Sequence, residues 1–218
     1  MNGSSRTKED LRTTLAAYER SSADAAPTTV PAAVLVLLHD HDGDLHIVFQ
    51  KRTDKVHDHK GQISFPGGAS DPEDMSLTET ALRETHEEIG VLPEDVDILG
   101  SLDEMVTVSN YVVTPFVGWV SRYPYEWRFS DDEVAYLLEV PVTHLLDPAT
   151  LVPDRRFING REYEFQSYRF GDDLIWGATA RMLGNFLDVA ASVLGLRPSP
   201  KGAGRAPSPE GRGFERRR

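Results

Sequence analysis

Three glutamates, Glu84, Glu87 and Glu88, have a spacing that could bring their carboxylates together. Residues at positions i, i+3 and i+4 of an α-helix project from one face and lie side by side. Clustered anions repel one another unless a cation lies among them, and hard carboxylate oxygens suit magnesium or manganese rather than zinc. An acidic helix face alone is more often a solvated surface. The flanking residues must therefore decide between a metal site and an ordinary charged face.

The flanking residues favour a metal site. The run Phe65-Pro66-Gly67-Gly68 precedes the acidic segment, and a glycine bend lets a backbone carbonyl approach a ligand with no side chain in the way. Arg83 lies four residues before Glu87 and can orient it through a charged hydrogen bond. With these neighbours, the three glutamates and the backbone of Gly68 are the candidate ligands of a magnesium or manganese ion, with a solvated acidic face as the alternative.

This arrangement resembles the signature of the Nudix hydrolase family. The matched residues are Gly68, Arg83, Glu84, Glu87, Glu88 and Gly90. The resemblance implies a Nudix fold in which a bound divalent cation assists water in hydrolysing a diphosphate bond. Arg83 then orients the carboxylates, and Glu87 or Glu133 is the candidate general base. Glu133 sits where Nudix proteins often bring a further carboxylate to the metals, and a solvated loop acid is the alternative.

One branch of the family, the coenzyme A diphosphatases, is similar in more detail. Arg83 follows Gly68 at one residue more than the usual spacing, with Asp74 in place of the first glutamate. This longer spacing resembles that branch, as do the upstream residues Arg52, Thr53, His57, Gly61 and the Phe65-Pro66-Gly67-Gly68 run. His57 stands where the branch has Arg, and Thr53 where it has Ser or Ala. The resemblance implies that Arg52, His57, Lys60 and Phe65 bind substrate, although His57 could instead cap or pack its loop.

The function expected from this resemblance is hydrolysis of coenzyme A or its thioesters to 3′,5′-adenosine bisphosphate and a phosphopantetheine. Two alternatives stay open. The first is another small-molecule substrate, such as ADP-ribose, a dinucleotide or a nucleotide sugar. The second is a Nudix module that senses a nucleotide without cleaving it, against which the retention of Arg83 and all three helix glutamates argues.

The elements that must position these residues can be read from hydrophobic periodicity and turn residues. We predict helices over residues 7–20, 77–89 and 178–194, with Gly90 ending the second. Strands are predicted over 32–39 and 45–52 as a hairpin, 96–99, 111–120, and 155–158 with 161–170 around Asn159-Gly160. Residues 55–68 are expected to form a loop, and Pro115 predicts an edge strand or a bulge. The order favours an α+β or α/β fold with a mixed β-sheet sandwiched between helices.

Composition bounds the organisation and the partners. We expect an N-terminal helix and linker over 1–29, a Nudix domain over 30–196 and a disordered basic tail over 197–218. The tail holds seven Lys or Arg against two Glu, a local charge of +5, so the rest of the chain carries −17 of the net charge of −12. An acidic body of this kind repels the phosphate backbone and disfavours nucleic-acid polymers as ligands. No apolar run is long enough to span a membrane, there is no signal-peptide core and no cysteine, so a cytoplasmic location is expected. The oligomeric state is left open, a homodimer included. His39, His41 and His46 are interpreted as exposed hairpin residues.

Overall fold

In the computed structural model, the described residues are 3–55, 60–158 and 161–195. Within them the helices are α1 (Gly3–Ala16), α2 (Leu77–Ile89), α3 (Val142–Leu145) and α4 (Gly177–Val193). The strands are β1 (Val30–His41), β2 (Asp44–Arg52), β3 (Ile63–Ser64), β4 (Gly67–Ala69), β5 (Val96–Ser101), β6 (Met105–Val106), β7 (Tyr111–Val120), β8 (Val134–Pro141), β9 (Leu151–Ile158), β10 (Arg161–Phe170) and β11 (Asp173–Ile175). Short 3-10 helices cover Pro93–Asp95 and Pro148–Thr150.

The larger sheet is built around β1. This strand is antiparallel to β2 and β4 and parallel to β7. The sheet continues to β3 beyond β2 and to β5 beyond β7, while β8 pairs with β2 and β6 with β7. A second, antiparallel sheet has the order β11-β10-β9. One parallel pair among antiparallel neighbours makes the larger sheet mixed, as the sequence predicts.

Helices cover both faces of the larger sheet because β1 alternates its apolar side chains between them. Leu35 and Leu37 belong to the buried cluster that contains Ile89 of α2. Val36 and Leu38 belong to the buried cluster formed with α1 and α4. The predicted sandwich of a mixed sheet between helices is confirmed, and α2 lies on the opposite face from α1 and α4.

Most predicted elements are confirmed, with shifts at their ends. The 32–39 and 45–52 hairpin is β1 with β2, and α2, β7 and β10 have the predicted bounds. The first helix ends at Ala16 instead of residue 20, and α4 begins and ends one residue early. β9 starts at Leu151, ahead of the predicted 155, and the turn residues 159–160 lie outside the described part of the chain.

Several strands were not predicted from local pattern. The expected loop 55–68 contains β3 and the first two residues of β4, and β6, β8 and β11 have no counterpart in the prediction. Each is short or has an irregular apolar pattern. β8 is defined by hydrogen bonds to the distant strand β2, and β3, β4, β6 and β11 have only two or three residues each, so periodicity detects none of them.

Pro115 does not mark an edge strand, so that part of the prediction is wrong. β7 lies between β1 and β5. The pairing of β5 stops at Phe116 and that of β6 starts at Val113, so Pro115 falls in the interruption between them. On the side of β5 and β6, the Pro115 carbonyl accepts a hydrogen bond from the Leu102 N–H at 2.9 Å. Proline has no N–H to donate, and its nitrogen faces the gap between β5 and β6, so no hydrogen bond of the sheet is lost.

The interpretation of the hairpin histidines needs one correction. His41 is exposed, but His39 is fully buried. Its Nε2 lies 2.8 Å from Oε2 of Glu139, and its ring stacks on Tyr123 with 4.1 Å between centroids. His39 lowers the pKa of Glu139. Burial follows from the neighbouring β8 strand and the 121–130 segment, which cover this end of β1.

The N-terminal helix packs on the domain. Leu11 and Leu15 are buried in the core formed with α4. On the polar side of α1, Arg12 Nη2 and Lys8 Nζ lie 2.6 Å and 2.8 Å from Asp97 Oδ2 of β5, and these cations lower the pKa of Asp97. The helix is therefore held by both apolar burial and ion pairs.

The segment predicted as a linker is also attached to the domain. The Ser21 N–H donates to Asp103 Oδ1 at 2.7 Å, and the Glu104 N–H donates to the Ser21 carbonyl at 3.0 Å. The predicted basic tail, 197–218, lies outside the described residues. No helix in the described ranges is long and apolar enough to cross a membrane.

Candidate active site

The carboxylates are carried by α2, whose ends are both specified by local sequence. Ser76 is the N-cap, and its side chain accepts a hydrogen bond from the Glu79 N–H at 3.2 Å. Gly90 ends the helix in the left-handed conformation, with φ of 74°, which glycine adopts without a Cβ penalty. These two caps fix where the helix begins and ends.

The two glycines before α2 bring backbone close to the helix. β4 pairs with β1 at Ala33 and Val34. A Cβ on Gly67 would lie 2.3 Å from the Ala33 carbonyl oxygen, and one on Gly68 would lie 2.6 Å from the Glu84 carboxylate. At the bend predicted from the glycine pair, the backbone thus lies close to both β1 and Glu84.

Glu88 is the deepest of the three glutamates, with 4% of its side chain exposed. Its Oε2 accepts hydrogen bonds from Gln50 Nε2 at 2.7 Å and from the Gly67 N–H at 2.8 Å. Its Oε1 accepts from Arg52 Nη1 at 3.2 Å. Burial nevertheless raises the pKa of Glu88 to about 7, because desolvation disfavours the charged carboxylate.

Arg83 joins the glutamates to Asp74. Its Nε and Nη2 donate to the two carboxylate oxygens of Asp74 at 2.9 Å and 3.0 Å, a bidentate geometry that is strong and directional. These bonds hold the pKa of Asp74 far below its usual range. Nη1 donates to Glu84 at 2.8 Å and to Glu87 at 3.1 Å. Asp74 therefore belongs to the site despite the spacing between Gly68 and Arg83, which is one residue longer than usual, because it holds Arg83 in place.

Glu84 and Glu87 are more accessible than Glu88. Their side chains are 20% and 57% exposed. Burial raises the pKa of Glu84, and the neighbouring charges of Glu87 and Glu133 add to the increase against the opposing effect of Arg83. Glu133, 45 residues further along the chain than Glu88, is thereby placed within electrostatic reach of the helix carboxylates.

Glu133 lies in a turn that is tied to both β2 and α2. The Ser130 N–H donates to the Glu88 carbonyl at 3.3 Å, and the Glu133 and Val134 N–H groups donate to the Ser130 carbonyl. The Thr53 N–H donates to the Glu133 carbonyl at 2.9 Å. The turn that carries Glu133 is thus held against the end of α2, and the charge of Glu133 acts on Glu84.

Comparison with known proteins agrees with this geometry. The chain matches the profile of the NUDIX domain over residues 29–161, more than half of its length. It is 36% identical over 155 residues to the uncharacterized Nudix hydrolase NudL of Pectobacterium atrosepticum, covering 70% of this chain and 78% of that protein. The chain belongs to the Nudix family. NudL of Salmonella paratyphi B is 33% identical over 153 residues, covering 70% of this chain and 77% of that protein.

A solved structure with a similar fold is the MutT/nudix family protein from Enterococcus faecalis, at 16% identity and a TM-score of 0.49, covering 89% of this chain and 81% of that one. Family membership rests on the sequence matches. As a Nudix hydrolase, the protein acts on diphosphate bonds in small nucleoside-diphosphate derivatives with the help of a divalent metal ion.

The donor chemistry of the Nudix site suits such an ion. Only oxygens are offered by the helix glutamates and the Gly68 carbonyl, and the absence of a Cβ on Gly68 leaves space beside the Glu84 carboxylate. Among the described residues, no three His, Asp or Glu side chains converge as one metal-holding group. Glu84 and Glu87 turn towards Arg83, and Glu88 towards Gln50 and Gly67. The helix carboxylates share one face, as predicted, but they do not meet at one point.

The predicted substrate-binding residues of the Nudix site fall into different environments. Arg52 contacts Glu88 and keeps 23% of its side chain exposed, while Lys60 is exposed. Phe65 needs a correction, because only 2% of it is exposed and its ring stacks on Phe49 with 4.8 Å between centroids. It supports the bend from within the core and offers no surface to a ligand. His57 lies outside the described residues.

Sequence analysis did not name Gln50, and it named Thr53 in the upstream signature without giving it a role. Gln50 donates to the buried Glu88, and Thr53 holds the turn that carries Glu133. The sequence signal at Gln50 is a polar residue directly after the apolar run of β2. The structure shows it fully buried, and a buried polar group needs a hydrogen-bond partner. For Thr53 the signal was its place in the upstream signature, but its hydrogen bonds to residues 132 and 133 are visible only in the structure.

Proposed function

We propose that this Nudix hydrolase cleaves the diphosphate bond of coenzyme A, or of its thioesters, with magnesium, giving 3′,5′-adenosine bisphosphate and a phosphopantetheine. The observation that supports this proposal is the position of the upstream signature. Arg52 reaches Glu88, its N–H donates to the Gln62 carbonyl at 2.9 Å, and β3 pairs with β2 beside Gln50. Residues that resemble the coenzyme A branch therefore lie against the proposed metal ligands.

The proposed ligands of the cation are the carboxylates of Glu84, Glu87 and Glu88 and the carbonyl of Gly68. When bound, a divalent cation neutralises diphosphate charge and makes water a better nucleophile. Manganese is the alternative ion, with the same preference for oxygen. Arg83, fixed by Asp74, keeps two of the carboxylates in place and limits their mutual repulsion.

The chemical change is addition of water across one P–O–P bridge. A water oxygen bonds to one phosphorus, the bridging bond breaks, and the departing phosphate takes the electron pair. A carboxylate accepts the proton that the water loses. We assign this role to Glu133 rather than Glu87, because Glu87 already accepts a hydrogen bond from Arg83, whereas Glu133 is exposed and has no hydrogen-bond partner for its carboxylate among the described residues.

The test is turnover of a substrate panel. Purified protein with Mg²⁺ or Mn²⁺ is incubated with coenzyme A, an acyl-coenzyme A, ADP-ribose and a diadenosine polyphosphate, and products are identified by mass. The proposal expects 3′,5′-adenosine bisphosphate and phosphopantetheine as the fastest products. Faster cleavage of ADP-ribose or the dinucleotide assigns the site to that substrate instead. Absence of metal-dependent cleavage of the whole panel removes the catalytic proposal and favours a sensing module.

A further inference from the structure

Thr53 occupies a junction between three parts of the site. It follows Arg52 at the end of β2, where the pairing with β8 shifts register. Its hydroxyl donates to the Asp132 carbonyl at 2.6 Å and accepts from the Lys55 N–H at 3.3 Å. Its own N–H donates to the Glu133 carbonyl at 2.9 Å. One residue therefore holds two consecutive carbonyls of the turn before β8.

We propose that Thr53 is a positioning residue that fixes the turn carrying Glu133 against the helix carboxylates. The other end of this turn is held through the Ser130 N–H bond to the Glu88 carbonyl. The turn is thus attached to α2 at Ser130 and to Thr53 at Asp132 and Glu133. The proposal rests on the proposed function for its consequence in catalysis, since it acts through Glu133.

The hydroxyl has a separable role because the backbone bond of Thr53 does not depend on it. Thr53 is 9% exposed, so valine preserves its shape and packing while removing the donor to Asp132. The turn then keeps its bond at Glu133 and loses the adjacent one. A catalytic group displaced by about 1 Å can lose about a hundredfold in rate, so a looser turn should cost turnover far more than stability.

The experiment compares Thr53→Val with Thr53→Ser and with a matched control. Thr150→Val removes a hydroxyl of equal kind, since Thr150 is 8% exposed and donates to the Asp147 carbonyl at 2.8 Å, and it lies in the 3-10 helix before β9, which contributes no residue to the site. We expect Thr53→Val to lower kcat by about tenfold to a hundredfold with KM within about twofold, and Thr53→Ser to restore kcat. Both valine variants should lower Tm by only about 4 °C or less.

A double-mutant cycle and hydrogen exchange separate positioning from a general structural effect. Thr53→Val in a Glu133→Gln background should lower kcat no further, because the positioned group is already gone. Exchange of the Glu133 and Val134 amides, which both donate to the Ser130 carbonyl, should become about tenfold faster in Thr53→Val and stay unchanged in Thr150→Val.

The outcomes distinguish the two proposals. Normal kcat in Thr53→Val together with a large loss in Glu133→Gln overturns the role of Thr53 and leaves the general-base assignment standing. Normal kcat in Glu133→Gln removes the general base, and with it the positioning role. If the wild-type protein cleaves no substrate of the panel, the exchange rates still decide whether Thr53 holds the turn, and unchanged rates overturn it.

Discussion

Replacing Gly68 with alanine should damage the site without damaging the fold. The new Cβ would lie 2.6 Å from the carboxylate of Glu84, and an ordinary contact needs at least 3.4 Å, so the carboxylate must move by about 0.8 Å. Gly68 is not among the glycines with positive φ, so its backbone accepts alanine. The substitution therefore acts mainly on one proposed metal ligand.

The expected loss follows from that displacement. A misplacement of about 1 Å can cost about a hundredfold, so kcat/KM should fall by about tenfold to a hundredfold, which corresponds to about 1.4–2.7 kcal/mol of transition-state stabilisation. Stability should not fall, because alanine reduces the entropy of the unfolded chain and contributes about 0.4–1 kcal/mol where the backbone permits it.

The matched control is Gly100→Ala. Its Cβ would lie 2.7 Å from the Leu15 Cβ of α1, with the backbone also outside the positive-φ set. Crowding in the core should cost about 1–3 kcal/mol of folding free energy, while kcat/KM of the folded enzyme at 25 °C stays normal. Metal-dependent turnover and thermal melting are measured for both variants. A normal kcat/KM in Gly68→Ala, at any magnesium concentration, would refute the assignment of Glu84 beside this glycine as a ligand.

Further predictions concern the carboxylates and the N-terminal helix. Glu84→Gln and Glu88→Gln should each abolish most magnesium-dependent turnover, because each removes one proposed carboxylate ligand; near-normal turnover in either contradicts its role as ligand. Leu11→Ala should lower the free energy of unfolding by about 2–5 kcal/mol in denaturant titrations, because Leu11 is fully buried; a negligible change would show that the helix is dispensable for the 30–196 unit. Asp97→Asn should cost about 0.5–1 kcal/mol at neutral pH. Because the pKa of Asp97 is lowered in the folded state, the stabilisation by its ion pairs is fully present above the unfolded-state pKa and is lost as pH falls through the folded-state pKa. Wild type and variant should therefore converge in stability in acid. A stability difference that does not change with pH would exclude the ion pairs.

Local pattern was enough for the elements that contain their own signals. The acidic helix was predicted with its observed bounds, since α2 has a serine N-cap, an i, i+4 apolar face and a terminal glycine. The β1–β2 hairpin followed from two apolar runs separated by turn residues. β8 escaped because its partner β2 lies far away in the chain, and β11 because three residues are too few to show a period. The edge expected at Pro115 failed because only the sheet order shows where a missing N–H is harmless.

The sequence by itself determined the family signature, the helix face that gathers the glutamates, and the glycine pair that lets backbone approach them, because spacing on a helix and the lack of a Cβ are local properties. Tertiary structure alone decided what each group contacts there. In the folded chain Glu88 is buried between Gln50 and Gly67, Asp74 pairs with Arg83, and Phe65 lies in the core. The Glu133 carbonyl accepts a hydrogen bond from the Thr53 N–H. These outcomes depend on desolvation and on hydrogen bonds between segments distant in sequence, and a residue's type does not encode which distant donor will reach it.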